Sequence, residues 1–325
     1  MSRLAVLLRG FILAVGVAAV GCASLRSRGD RRVTPPPAAP NKPASSDPAP
    51  AKDPAPPPDS VREEHDIVFG RGGSEELHLD LYSPRQAAGK LPAIVVLHGG
   101  GWAQGTHSEM RPVARAFAEK CYVAANVEYR LAPRSKYPAQ LHDVKCAVRW
   151  LRANANRCQI DPERIAAFGV SAGGHLALLL GLTEPSDGLE GDGGSADESS
   201  KVQAVIDVMG PTDLTKPGWS AGTEALINDL MGGSREQMPD AYRAASPVVY
   251  IRRGAPPVLI VHGTQDPVVP FEQAKLLHDA LRKAHVPCRL VTLHGRDHGA
   301  NWKPEDLQRT LTAMKEFLDK NLRSR

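Results

Sequence analysis

Gly169-Val170-Ser171-Ala172-Gly173-Gly174 joins a strand-like run, Arg164-Ile165-Ala166-Ala167-Phe168, to a helix-like run, His175-Leu176-Ala177-Leu178-Leu179-Leu180. The run before it suits a strand covered on both faces, and the run after it suits a helix packed on that sheet. The pattern is G-x-S-x-G in a strand, turn, helix setting. A turn this tight strains the backbone at its serine. It needs small neighbours where the helix start closes on the strand, so that the serine oxygen points out of the sheet. The helix N-terminus beneath it favours developing negative charge. Taken alone, the six residues are equally compatible with a glycine-rich turn carrying an incidental serine. What surrounds them decides.

Outward from this stretch, strands and helices alternate. Asp66 to Phe69 and Leu77 to Tyr82 read as a hairpin, with Gly70-Arg71-Gly72-Gly73 between them and apolar residues alternating at Leu77, Leu79 and Leu81. Strands are expected at Ala93–Leu97, Tyr122–Val127, Arg164–Phe168, Val202–Val208, Pro257–Val261 and Cys288–Leu293. Helices are expected at Met110–Lys120, Gln140–Arg152, Ala172–Leu182, Phe271–Ala284 and Pro304–Asn321. Such alternation implies an α/β fold, a mainly parallel sheet with helices on both faces and a site at the carboxyl ends of its strands.

Three more polar clusters fall at such ends. His98-Gly99-Gly100-Gly101-Trp102 follows the third strand and leaves backbone N–H groups bare. Acyl transfer needs donors aimed at an oxygen that becomes anionic, and a glycine-rich loop supplies them without side-chain obstruction. The N–H groups of this three-glycine loop and of Ala172 are the candidate donors, with His98 bracing the loop. Val261-His262-Gly263-Thr264-Gln265-Asp266 ends a strand in an aspartate, and Leu293-His294-Gly295-Arg296-Asp297-His298 ends one in two histidines. Serine, aspartate and histidine therefore occur in the chain order Ser171, Asp266, His298. Two rivals are present. Asp213 also follows a strand and also lies between Ser171 and His298, so chain order alone leaves it a rival of Asp266; His294 closes the strand, whereas His298 sits in the loop that can reach Ser171. His175 and His262 read as packing residues, and Glu128 and Arg130 as structural.

His98 to Trp102, Val127-Glu128-Tyr129-Arg130-Leu131-Ala132-Pro133, Gly169 to Gly174, Asp266 and His298 together resemble the carboxylesterase branch of the α/β-hydrolase superfamily. Within it they look most like the bacterial hormone-sensitive-lipase-like and feruloyl-esterase-like enzymes. The resemblance covers about Val61 to Arg325. It implies Ser171 as nucleophile, His298 as base, Asp266 as its orienter, and an oxyanion hole at Gly100, Gly101 and Ala172. The implied activity is ester hydrolysis through an acyl-enzyme, without cofactor. An exopeptidase or amide hydrolase with the same triad, or a binding protein that has lost catalysis, shares the scaffold. The acidic, glycine-rich stretch from Glu184 to Ser200 departs from the pattern and reads as a flexible surface insertion. The segment Thr212 to Ala255, interrupted by Pro217, Gly218, Gly232, Gly233, Pro239 and Pro247, has room only for short helices. A small cap of that kind favours short or aromatic acyl groups, such as those decorating polysaccharides, over long lipids.

The first sixty residues belong to another regime. Arg3 and Arg9 precede an uncharged run from Gly10 to Val20, too short to span a bilayer as a helix, and small residues lead to Cys22. Ala19-Val20-Gly21-Cys22 resembles the bacterial lipobox, with Ala19 where a larger aliphatic residue is usual. The expected organisation is a signal peptide over 1–21, a Pro-rich tether over 22–60 and a catalytic domain over 61–325. Lipid on Cys22 would anchor the chain to a membrane, leaning towards the outer membrane, and the alternative is a secreted or periplasmic protein. Thr34 to Ser60 holds eleven prolines, and 27 residues of extended polyproline reach ~80 Å. Formal net charge is +4, yet residues 1–33 carry six arginines against Asp30 alone. The rest of the chain is slightly acidic, which argues against a nucleic-acid partner. Cys121, Cys146, Cys158 and Cys288 lack metal-ligand spacing, so no metal is expected, and an exported chain has three ways to pair them.

Overall fold

The computed structural model describes residues 60–87 and 89–323. The expected signal segment, Cys22 and all of the expected tether before Ser60 lie outside the described residues. An eight-stranded sheet is ordered β1-β2-β4-β3-β5-β6-β7-β8. Its strands are β1 (Val61–Gly72), β2 (Glu75–Pro84), β3 (Leu91–Leu97), β4 (Val123–Val127), β5 (Ile160–Val170), β6 (Ala204–Val208), β7 (Val258–Gly263) and β8 (Cys288–Leu293). The first two pairings, β1 with β2 and β2 with β4, are antiparallel, and the others are parallel. This is the mainly parallel sheet expected from the alternation, and of the α/β-hydrolase type that the resemblance implies.

Among the described residues, seven α-helices accompany the strands: α1 (Arg111–Ala118), α2 (Ala139–Ala153), α3 (Ala172–Leu182), α4 (Ala221–Met231), α5 (Pro239–Ala244), α6 (Phe271–Lys283) and α7 (Pro304–Leu318). The period-2 alternation of β3 explains the two-sided cover. Ala93, Val95 and Leu97 join the core formed with α2, α3 and α6, while Ile94 and Val96 join the core formed with α1 and α7. The chain leaves β3 towards β4 and leaves β5 towards β6, so the crevice between β3 and β5 is a topological switch point. Both glycine-rich loops open there.

The amino end of the domain lies at the other end of the sheet. Val61 pairs with Pro84, Tyr82 pairs with Ala124 near the start of β4, and the Arg85 N–H donates to the Ser60 carbonyl at 2.9 Å.

Two expectations are corrected. The hairpin turn is the two residues Gly73-Ser74, and the strands run on to Gly72 and from Glu75. Gly70 and Gly72 are strand residues, needed for close approach: a Cβ on Gly70 would meet Cys146 Sγ and the Gly193 carbonyl oxygen, and one on Gly72 would run into the Arg130 guanidinium. Residues 184–200 are not a loose insertion. Lys145, Arg149 and Arg152, on one face of α2, reach into them. Lys145 Nζ lies 2.5 Å from Glu190 Oε1, and Arg149 donates to the carbonyls of Glu190 (2.8 Å) and Gly194 (3.0 Å). Arg152 holds the carbonyls of Ser199 and Lys201, Arg252 pairs with Asp187 at 2.7 Å, and the Gly193 carbonyl accepts from the Arg71 N–H at 2.8 Å. Backbone carbonyls that composition assigns to water are satisfied by buried cations instead.

Candidate active site

The elbow forms as its sequence requires. Ser171 stands at φ 57° and ψ −121°, a strained conformation for a residue with a Cβ, directly before α3. Small neighbours make this possible: a Cβ on Gly169 would collide with the Gly173 backbone, and one on Gly173 with the carbonyl oxygens of Leu97 and His98. The Ser171 N–H donates to the Val208 carbonyl at 2.8 Å, tying the elbow to β6. Beneath it, Asp207 Oδ1 accepts the Gly210 N–H at 2.8 Å. Burial pushes the Asp207 carboxyl up to about 7, against the opposing influence of His262 and of the Gly210 hydrogen bond.

Ser171, His298 and Asp266 come together. His298 Nε2 lies 2.9 Å from Ser171 Oγ, and His298 Nδ1 lies 2.6 Å from Asp266 Oδ2. The other carboxylate oxygen, Oδ1, accepts the N–H groups of Val268 and Val269, each at 2.8 Å. Burial alone would raise the Asp266 pKa. The charge of His298 and hydrogen bonds from His262 and His298 outweigh it, and the carboxyl is held well below the usual carboxylate range. With an anion at Nδ1 the imidazole carries its proton there, leaving the Nε2 lone pair facing the serine. Asp213 is engaged elsewhere, its Oδ1 accepting the Thr215 N–H (3.0 Å) and hydroxyl (2.5 Å), and His294 is exposed.

The loop after β3 is fixed from several sides. Gly100 and Gly101 take φ +107° and +59°, and the Gly100 carbonyl accepts from Ala103 and Gln104, closing a tight turn. No backbone carbonyl among the described residues accepts the N–H of Gly100 or Gly101. Ala172, first residue of α3, carries one of the N–H groups that a helix start leaves unpaired. The His98 ring lies flat against Tyr129, with centroids 4.2 Å apart, and the Tyr129 hydroxyl donates to the His98 carbonyl at 2.9 Å. Burial pushes the His98 pKa down to about 4. Helix α4 covers this loop, and a Cβ on Gly101 would lie 2.5 Å from Leu226 Cδ1. The helix is itself pinned: Thr223 Oγ1 donates to the Val268 carbonyl at 3.1 Å, and Arg235 grips both oxygens of Glu224 at 2.8 and 2.9 Å.

A family model described as BD-FAE matches residues 79–281, more than half of the chain. The chain belongs to the BD-FAE family. Esterase LipQ of Mycobacterium tuberculosis is 34% identical over 224 residues, covering 67% of this chain and 52% of LipQ. The BD-FAE chain spans about half the length of the curated mycobacterial relatives it matches. Among solved structures, a truncated carbohydrate esterase from gut microbiota superposes with a TM-score of 0.71 at 25% identity, over 81% of this chain and 99% of that one. The thermophilic esterase Est2 of Thermogutta terrifontis superposes with a TM-score of 0.68 at 31% identity, over 81% and 92%. The family match includes the elbow and the loop after β3.

Two BD-FAE residues read from sequence as packing groups touch this machinery. His262 Nε2, buried, donates to the Val269 carbonyl at 2.9 Å and lies 3.4 Å from Asp266 Oδ2. The signal was its spacing, four residues before the aspartate across a tight turn. His175 contacts Trp102, with consequences developed below. Among the described residues, no group of three or more His, Cys, Asp or Glu side chains is arranged to hold a metal ion.

Proposed function

We propose that this chain is a serine hydrolase that cleaves carboxylic esters through an acyl-enzyme. The observation that carries the reading is the unbroken chain from Ser171 Oγ through His298 to the anionic Asp266, at the carboxyl ends of three strands beside unpaired backbone donors. His298 Nε2 takes the serine proton as Oγ attacks the ester carbonyl. The N–H groups of Gly100, Gly101 and Ala172 receive the oxyanion. His298 then protonates the leaving alcohol, and a water activated by the same nitrogen releases the acid.

The geometry supports a small acyl group. Leu226 rests on Gly101, and the helix that carries it is tied down at Thr223 and Glu224, so little apolar wall remains for a long chain. With a carbohydrate esterase among the similar structures, short or aromatic acyl groups on polysaccharides are the substrate class we assign. Residues 1–21 and Cys22 support a membrane-anchored lipoprotein outside the cytoplasm. Fractionation of wild type against Cys22→Ala tests that anchor; equal solubility of the two removes it.

The test of the reaction is Ser171→Ala. It is expected to melt like wild type, to resist labelling by a fluorophosphonate and to lose at least 10³-fold in turnover of p-nitrophenyl acetate, an order of magnitude set by loss of the nucleophile. Near-wild-type turnover of activated esters by this variant would sink the proposal.

A further inference from the structure

Trp102 closes the loop after β3, and its indole does more than fill space. Trp102 Nε1–H donates to His175 Nδ1 at 3.2 Å, and His175 Nε2–H donates to the Ala245 carbonyl at 2.7 Å. The rings meet edge to face, 5.1 Å apart at 83°. Both side chains are buried, His175 completely. These partners fix the tautomer. A carbonyl accepts only from a protonated nitrogen and an indole N–H donates only to a bare one, so the imidazole is neutral with its hydrogen on Nε2. Burial agrees, pushing the His175 pKa down to about 4 against the opposing hydrogen bond to Ala245.

Trp102 also needs holding. It sits at φ 59°, in the left-handed region that bulky residues avoid, immediately after two glycines that are themselves at positive φ. Its carbonyl accepts the Ala132 N–H at 2.8 Å, which fixes one side of the residue, and the indole bond to His175 fixes the other. His175 is three residues beyond Ala172 on α3 and is braced from behind by Ala245, which caps the carboxyl end of α5 in the segment covering the site.

We infer that His175 is a positioning residue for the oxyanion hole. Through Trp102 it sets the direction of the Gly100 and Gly101 N–H groups relative to that of Ala172, so that donors from the loop after β3 and from the start of α3 converge on one point. The inference rests on the serine-hydrolase reading above and adds a part to it. The chemistry makes the part necessary, because oxyanion donors act only when aimed at where the charge will develop. Without the indole tether, Gly100-Gly101-Trp102 is free to relax out of a strained backbone, carrying its donors away from Ala172.

Trp102→Phe keeps the ring and removes the N–H, His175→Gln keeps hydrogen-bonding capacity but not the geometry, and the double variant joins them. Three quantities are read: the rate of Ser171 labelling by a fluorophosphonate, kcat and KM for p-nitrophenyl acetate, and thermal melting. Labelling rate and kcat are expected to fall about 10- to 100-fold in each single variant, the range for misplaced donors. KM should stay within about threefold, and the double variant should be no slower than the slower single, because the two residues act as one unit. Wild-type labelling rates in both variants, a loss confined to KM, or effects that multiply in the double variant overturn the inference. Should His175→Gln fail to fold, Trp102→Phe alone decides between these outcomes on labelling rate. Wild-type protein that is labelled but cleaves no ester counts against the ester reading alone. A labelled wild type with equally labelled variants counts against the positioning role alone.

Discussion

Glu190→Gln is expected to weaken the whole domain, although the residue lies in a segment whose composition suggests a solvated loop. Glu190 faces two cations from α2: Lys145, whose side chain is 0% exposed, and Arg149, at 3%. Burial lowers the Lys145 pKa even with Glu190 beside it, so the lysine depends on that carboxylate to stay charged. For Glu190 itself burial works against ionisation, and the hydrogen bonds from Lys145 and Ser200 prevail, leaving its pKa lowered. Removing one partner of a buried pair costs about 3–5 kcal/mol; Glu190 is 28% exposed and water screens it in part, which places the cost near ~3 kcal/mol. At about 2–4 °C per kcal/mol for a domain of this size, Tm should drop by about 6–12 °C. The assay is thermal melting beside Asp197→Asn, an exposed control in the same segment, with thermolysin digestion to report opening around Leu189. A Tm within about 2 °C of wild type, together with unchanged cleavage, refutes the reasoning and returns residues 184–200 to the solvent.

Asp266→Asn should leave the fold intact, since Oδ1 can still accept from Val268 and Val269. Its amide nitrogen would face His298 Nδ1 and drive the imidazole proton to Nε2, so kcat should fall on the order of 10⁴-fold, and a loss under tenfold would reject the tautomer argument. Stability should fall as pH drops from 6 to 5. His98 and His175, both pushed down to about 4 by burial from 6.5, stay neutral in the fold and are protonated in the unfolded chain, which costs stability on acidification; Asp207, pushed up to about 7 by burial from 3.8, holds one proton that the unfolded carboxylate lacks and offsets one of the two. The shifts of His107, raised by its hydrogen bond to Glu128, and His142, lowered by burial, act in opposite directions. Unfolding then takes up about one proton, a slope of about 1.4 kcal/mol per pH unit, and urea titrations that show greater stability at pH 5 contradict it. Leu226→Ala should raise kcat/KM for p-nitrophenyl hexanoate relative to acetate by about tenfold, the worth of roughly two newly accommodated methylenes; an unchanged chain-length profile places the acyl group elsewhere.

What the sequence disclosed, and what it hid, follows from how far each signal reaches along the chain. The elbow is local, and Ala172–Leu182 and Cys288–Leu293 carry the expected bounds because glycine, proline and apolar runs mark their ends. Ser171, Asp266 and His298 are 95 and 32 residues apart but each ends a strand, and the alternation alone brings those ends together. Edges were harder. Glu63, Glu64 and His65 fall outside the expected strand but belong to β1, an edge strand of mixed exposure. Residues 184–200 read as a loose insertion because their partners on α2 sit some 45 positions earlier. The available sign was three cations, Lys145, Arg149 and Arg152, spaced four and three apart on a helix that the fold buries. His175 and His262 passed as packing residues because a buried imidazole shows its purpose only through what its two nitrogens touch.

The amino end of β1 has a bearing on how the domain would be held by a tether. Ser60 and Val61 lie where the parallel strands begin, whereas Ser171, Asp266 and His298 lie where they finish. A leash attached ahead of Ser60 would therefore join the domain on the side away from these three side chains and would not stand in front of them.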